Sequence, residues 1–230
     1  MAKGNRQETP ARARILDAAC QLFAEKGYRG ATVAMICRRA EVNIAAVNYY
    51  FRSKEELYRQ AWRHAHEQSM AQTPPDDGVG PDAPAEERLG GRIRAGLKRA
   101  ILGDGVEHRI MRKEIANPTG LLHEVIRDSI GPLHRATQEI LRELLGPTAS
   151  DLDVELCETC VVSPWMHIMH RRQAKRHVGL PVFAEAMLED AADHFTAYAL
   201  AGIRGIRHRI ERSGPGRVSR GKARRSRKGK

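Results

Sequence analysis

Nowhere along these 230 residues do apolar and polar side chains alternate with the period of two that a half-buried strand requires. Apolar positions recur instead at intervals of three and four, in segments rich in Ala, Leu, Arg and Glu. The pattern predicts an all-α chain. Its length exceeds the roughly 100–150 residues usual for one domain, so a small helical unit and a larger one are expected. No apolar run approaches the roughly 18 residues of a membrane span, and none is expected. The polar start, Met1-Ala-Lys-Gly-Asn-Arg6, lacks the apolar core of a secretory leader, which predicts a cytoplasmic protein. Cys20, Cys37, Cys157 and Cys160 fall within helical patterns rather than in a disulfide framework and read as reduced thiols.

Start and stop signals divide the N-terminal part into short helices. After a flexible start (residues 1–8), Thr9-Pro10 sets a capping side chain before a proline suited to the first helical position. Ile15, Ala19, Leu22 and Phe23 then form one stripe ending at Gly27. Thr32 can cap a second helix with Val33, Ile36, Cys37 and Ala40 inward, and Asn43 a third carrying Val47 and Phe51. Ser53 followed by Glu56 forms a capping box that opens a fourth through Leu57, Ala61 and Ala65. Residues 9–60 therefore read as one domain and 61–211 as a second. Ala71 to Pro84, rich in Pro and Gly, reads as a mobile connection. Helices are predicted at about 85–102, 106–116, 119–145, 151–175 and 181–210.

Charge is uneven along the chain. Residues 1–60 carry a net +5, residues 61–211 carry −3, and residues 212–230 carry +9 with no acidic residue. Basic ends and an acidic middle suggest that the ends meet a polyanion. The tail, residues 212–230, has nothing to bury and should be disordered. It reads either as a solubilising end or as a source of sequence-independent phosphate contacts.

Two short helices joined by Glu41-Val42-Asn43 have the size of a helix-turn-helix, whose second helix enters the major groove. The residues there are themselves recognisable. Ile15-Leu-Asp-Ala-Ala19, Leu22-Phe23, Gly27-Tyr28, Ala31-Thr32-Val33 and Val42-Asn-Ile-Ala-Ala-Val-Asn-Tyr-Tyr-Phe-Arg-Ser-Lys-Glu-Glu-Leu57 together resemble the TetR family of bacterial transcription regulators, over about residues 12–60. Asn43 to Lys54 also resembles the CecR-like subgroup. The resemblance implies a three-helix N-terminal helix-turn-helix domain, then a helical regulatory and dimerisation domain, in a homodimeric repressor that a small-molecule ligand releases from a palindromic operator. Activation instead of repression stays open.

The resemblance also implies that the helix from about Ile44 to Tyr50 reads bases. With Val47 and Phe51 inward, Ala45, Ala46, Asn48 and Tyr49 face outward. Asn48 can pair with adenine, Ala46 can touch a thymine methyl, and either Tyr49 or Tyr50 can set its hydroxyl on a phosphate. Lys54 matches the family's phosphate-binding lysine, at a helix start that itself favours an anion, and Thr32 sits at another. Asn43 reads equally as a helix cap and as a base contact. Glu41 stands where the family usually has glycine; a left-handed backbone there costs roughly 1–2 kcal/mol unless the turn adjusts.

In the larger domain, Phe183, Met187, Ala191, Phe195, Tyr198 and Gly202 form a broad stripe on the last helix, read either as a dimer seam or as internal core. Met111, Arg112, His123, Trp165, Met166, Met169 and His170 are candidates for a ligand pocket, each also readable as packing. Pro164 should bend its helix and open space beside it. Cys157-x-x-Cys160 and His167-x-x-His170 invite a zinc site, but Cys157 and His170 lie roughly 20 Å apart along one helix, too far to share an ion. No metal or cofactor is expected. The partners expected are double-stranded DNA, a second copy of the chain and a small-molecule effector. No nucleophile–base pair, phosphate loop or paired carboxylates point to an enzyme.

Overall fold

The structure, a computed structural model, describes residues 9–103, 105–178 and 184–213, with side-chain detail for all of these except 170–178 and 213. Every regular element among the described residues is helical: α1 (Pro10–Gly30), α2 (Val33–Ala40), α3 (Ile44–Phe51), α4 (Lys54–Gln72), α5 (Ala85–Leu102), α6 (Val106–Ala116), α7 (His123–Leu145), α8 (Asp151–Val178) and α9 (Leu188–Ser213), with a single 3₁₀ turn at Glu185–Met187. None of these helices is long and apolar enough to cross a membrane.

The four predicted caps form. Thr9, Thr32, Asn43 and Ser53 each accept a hydrogen bond from the backbone N–H three residues on. Gly27, at φ 70° and ψ 176°, interrupts α1 where the stripe ends, and Tyr28–Gly30 add a further turn. The turn between α2 and α3 keeps the left-handed backbone, with Glu41 at φ 54° and ψ 50°. Between α3 and α4, Arg52 adopts φ 64° and ψ −44°, and the Ser53 N–H donates to the Phe51 carbonyl across 2.7 Å. That is a γ-turn of positive φ, a strained conformation for a residue with a side chain.

Packing does not follow chain order. One core joins Ile15, Leu22 and Phe23 of α1 with Ile36, Phe51, Leu57 and Trp62, and takes in Ile110 of α6, Leu122 just before α7 and Val125 within it. The other joins Leu89, Ile93 and Leu97 of α5 with Ile140 and Leu141 of α7, Val154, Val161 and Ile168 of α8, and Leu188, Ala192 and Ile203 of α9. Each fully buried Leu, Ile or Phe contributes about 1.5–3 kcal/mol of transfer free energy, so both assemblies rest chiefly on these contacts. α7 belongs to both cores and bridges them.

Three predictions differ from what is observed. The segment expected to be a mobile connection is instead a strap pinned on α5. Arg99 donates to the Thr73 carbonyl at 2.9 Å, Lys98 pairs with Asp77 at 2.6 Å, and Gly91 lies so close to the Asp76 carbonyl that a Cβ would collide with it. Pro and Gly exclude a helix there, but tertiary hydrogen bonds hold the chain. α7 begins at His123 rather than near 119, because the Glu114 carboxylate accepts from the Thr119 and Gly120 N–H groups and Gly120 takes φ 75°. α8 remains one helix across Pro164 and runs to Val178, whereas α9 begins at Leu188.

Candidate nucleic-acid interface and effector cavity

α3 is held by its inner face. Val47 and Phe51 are buried, whereas Ala45, Asn48 and Tyr49 are exposed and Ala46 is half-buried, the arrangement expected of a reading helix. Asn43 acts as the cap: its Oδ1 accepts from the Ala46 N–H at 2.9 Å. Tyr50 leans toward α1 and accepts the Thr9 hydroxyl at 2.9 Å, so its own proton stays available to donate outward. Tyr49 is the more exposed of the two and meets the Tyr50 ring edge-on at 5.0 Å. The Thr32 hydroxyl, exposed at the start of α2, accepts from the Met35 N–H and retains its proton.

Lys54 opens α4 with its Nζ 4.3 Å above the Tyr28 ring. Burial there draws its pKa below the ordinary lysine value. The Tyr28 hydroxyl donates to Glu55 at 2.5 Å and is the main cause of a carboxyl pKa held down to about 2. Tyr28 thus positions the candidate phosphate anchor from below. Sequence reasoning noticed Tyr28 only as part of a motif. The Gly27 bend that turns it toward α4 is the signal that could have assigned the role.

α4 meets α6 and the turn that follows it through polar contacts at the first core. The Tyr58 hydroxyl donates to Glu114, and Arg59 donates to the Leu121 carbonyl at 3.2 Å.

Above this junction lies a cavity of about 210 Å³ between α4, α5, α6, α7 and α8. A wider polar cleft of about 390 Å³ adjoins it, sharing Arg99, Glu107 and His108. Of the seven pocket candidates, Met111, Trp165 and Met166 line the cavity. Arg112 and His123 do not: the first is turned about 100° from Met111 on α6, and the second is exposed at the start of α7. Met169 packs on the second core, and the His170 side chain lies outside the described residues. Missed by sequence reasoning were Trp62, Arg92, Arg99 and Glu107. Arg92 and Arg99 sit seven apart on α5 with Gly96 between them, and a glycine inside an otherwise helical pattern was the available sign of a close approach.

The six stripe residues of the last helix separate by face. Ala191 is buried and Phe195 packs on the second core, which assigns them inward. Met187, Tyr198 and Gly202 are exposed, Tyr198 by 74%. Phe183 lies outside the described residues. On the neighbouring α8, Leu152, Leu156 and Cys160 are also exposed.

A family model described as bacterial regulatory proteins, tetR family, matches residues 15–61, and one described as the C-terminal domain of the HTH-type transcriptional dual regulator CecR matches residues 85–203. The biofilm operon negative transcriptional regulator IcaR of Staphylococcus epidermidis is 40% identical over 48 residues, covering 21% of this chain and 26% of that protein. The probable regulator YttP of Bacillus subtilis is 42% identical over 44 residues, 19% of this chain and 21% of that protein. The chain thus spans about a quarter of the length of these relatives. A transcriptional regulator structure from Pseudomonas aeruginosa matches with a TM-score of 0.65 at 17% identity over 89% of this chain and 96% of that one. The transcriptional regulator FadR of Bacillus subtilis, solved in complex with stearoyl-CoA, matches with 0.62 at 20% identity over 83% and 98%. The helix-turn-helix geometry and both family matches agree, and the chain belongs to the TetR family of bacterial transcriptional regulators, with a CecR-type C-terminal domain.

Proposed function

We propose that this regulator is a homodimeric repressor in which α3 reads a palindromic operator and a small molecule in the interhelical cavity releases it. The observation that carries the reading is the division of α3 into a buried anchor, Val47 and Phe51, and an exposed face bearing Ala45, Asn48 and Tyr49. Ala46 borders that face, and the Thr32, Tyr50 and Lys54 side chains supply phosphate contacts that set its register. Asn43 serves the fold of α3 through its cap and adds at most a peripheral contact. The exposed residues of α8 and α9 support pairing of two copies through a bundle of four helices, with Tyr198 and Gly202 in the seam. Repression is favoured by likeness to IcaR, a negative regulator, and release by ligand follows if the ligand-bound state spaces the two reading helices away from one DNA turn.

Selection of bound sequences from random DNA, followed by footprinting, tests this. A near-palindrome with half-sites about 34–36 Å apart, or a multiple of one turn, is expected. Asn48→Ala should weaken that site by about 5–150-fold, the roughly 1–3 kcal/mol of one base contact, and leave non-specific binding unchanged. Equal loss on both DNAs would sink base reading by α3. A chain lacking residues 212–230 should keep its operator preference; collapse of binding would favour a tail-driven DNA binder instead.

A further inference from the structure

The cavity carries three unmet polar demands beside an apolar wall. Trp62 is 1% exposed, lines the cavity, and its indole N–H has no acceptor. Arg92 donates to Thr137 Oγ1 at 2.7 Å and to the Leu133 carbonyl at 2.6 Å, and Arg99 donates to the Thr73 carbonyl at 2.9 Å. All of these acceptors are neutral, and among the described residues no carboxylate pairs with either guanidinium. A cation withdrawn from water without a directly paired opposite charge is costly, so both groups favour an incoming anion. Burial pulls both below the ordinary arginine range; the charges of Asp76 and Glu158 oppose this for Arg92, and that of Glu107 for Arg99, without reversing it.

The third demand has the opposite sense. Glu107 is 5% exposed and its Oε1 accepts no hydrogen bond; His108 Nδ1 lies 3.1 Å away as an ion-pair neighbour without donating an aligned one. Burial works against its ionisation, but contacts from His108 and Ser69 outweigh this and hold its pKa below the usual glutamate value. A buried anionic oxygen of this kind requires a donor. Glu158, by contrast, is already engaged by His134 at 2.6 Å and Gln138 at 2.7 Å and asks for nothing.

The remaining wall is apolar and partly aromatic, with Met70, Met111, Ile130, Leu133 and Trp165. An apolar cavity of about 150 Å³ holds benzene, so about 210 Å³ admits one ring with one or two small substituents. We propose that the cavity binds a small hydroxylated aromatic carboxylate: the ring lies against the tryptophans, the carboxylate faces the α5 guanidinium groups, and the hydroxyl donates to Glu107 Oε1. The ligand's oxygens supply the acceptor that Trp62 lacks. This assignment rests on the reading of the cavity as the effector site.

The chain's two tryptophans, Trp62 and Trp165, both line the cavity, so intrinsic fluorescence reports occupancy without DNA. The full chain is titrated with the three hydroxybenzoate isomers, benzoate, phenol and tyramine, with calorimetry as a second readout. At least one hydroxybenzoate should bind 10-fold or more tightly than benzoate and than phenol, and tyramine, a cation, should not bind. Arg92→Met should abolish the advantage over phenol, and Glu107→Met the advantage over benzoate. Retained phenol binding in Arg92→Met and retained benzoate binding in Glu107→Met show that the cavity survives each change; if Arg92→Met loses phenol too, Arg92→Lys, which keeps the charge, should restore the carboxylate preference, and if Glu107→Met loses benzoate too, Glu107→Gln, which keeps an acceptor oxygen, should restore the hydroxyl preference. No binding by any hydroxybenzoate, equal binding of tyramine, or an unchanged preference in Arg92→Met would overturn the proposal. Operator binding by the unliganded chain, measured separately, distinguishes this failure from failure of the repressor reading.

Discussion

Tyr58 of α4 donates its hydroxyl to Glu114 of α6 across 3.1 Å, with both side chains buried. Glu114 also accepts from the Thr119 N–H and hydroxyl and from the Gly120 N–H, so one carboxylate fastens α4 to the turn entering α7. Removing the two partners should have unequal effects. Tyr58→Phe leaves Glu114 well bonded and should cost about 1 kcal/mol, whereas Glu114→Ala strands four donors and should cost roughly 2–3 kcal/mol or more. Thermal melting should show the second variant falling several degrees further. The reverse order would mean that Glu114 does not hold this junction.

Glu41→Gly should stabilise the protein. The left-handed backbone at φ 54° costs a residue with a Cβ about 1 kcal/mol, partly offset because glycine loses more freedom on folding. A gain of up to about 1 kcal/mol in urea unfolding is expected, together with tighter DNA binding at low salt from loss of a negative charge beside α3. A stability loss would show that Glu41 makes a compensating contact.

Gly96→Ala should close the cavity from one side. The new Cβ would lie 2.6 Å from the Trp165 ring, so the ring must move. Overpacking of this kind costs typically about 1–3 kcal/mol, and tryptophan emission should shift with it. Unchanged emission and melting would indicate that Trp165 does not rest on α5.

The Tyr28–Glu55 bond should shape stability at both ends of the pH range. Glu55, at about 2 in the folded chain against about 4.3 unfolded, stabilises the fold above the higher value and loses that contribution as pH falls through the interval. Tyr28 is pushed up to about 12, by burial first and by Glu55 second, against about 10 unfolded, so its contribution is complete below pH 10 and is lost as pH rises toward 12. Melting profiles of Glu55→Gln against the parent should converge at both extremes and differ most near neutrality. A constant difference at all pH values would show that the bond contributes nothing through ionisation.

Local chemistry was the most legible part of the sequence. Thr9, Thr32, Asn43 and Ser53 cap as their spacing indicates, and α5 and α6 begin and end where Gly103, Gly105 and Asn117 place them, because caps and breakers act within a few residues. The outward face of α3 was readable for the same reason. What escaped depended on distant partners. Nothing near Thr73 announces that Arg99 will hold it, and Arg92 resembles any solvated helix arginine until Thr137 and Leu133 come round from α7. The last helix was read as one stripe because periodicity gives a width but not the number of partners. The structure divides it into an inner face with Ala191 and an open one with Tyr198.

Because Ile110, Leu122 and Val125 complete the core that α1 to α4 begin, the N-terminal part is not an interchangeable cassette. A graft joined after residue 60 would leave Phe23 and Tyr58 facing whatever replaces α6, and would omit Trp62 and Ala65, which belong to the same core. If α3 reads the operator as proposed, exchange of specificity between relatives is therefore easier on its outer face than by recombining whole domains, and any working chimera must inherit matched residues on α6 and the first turns of α7.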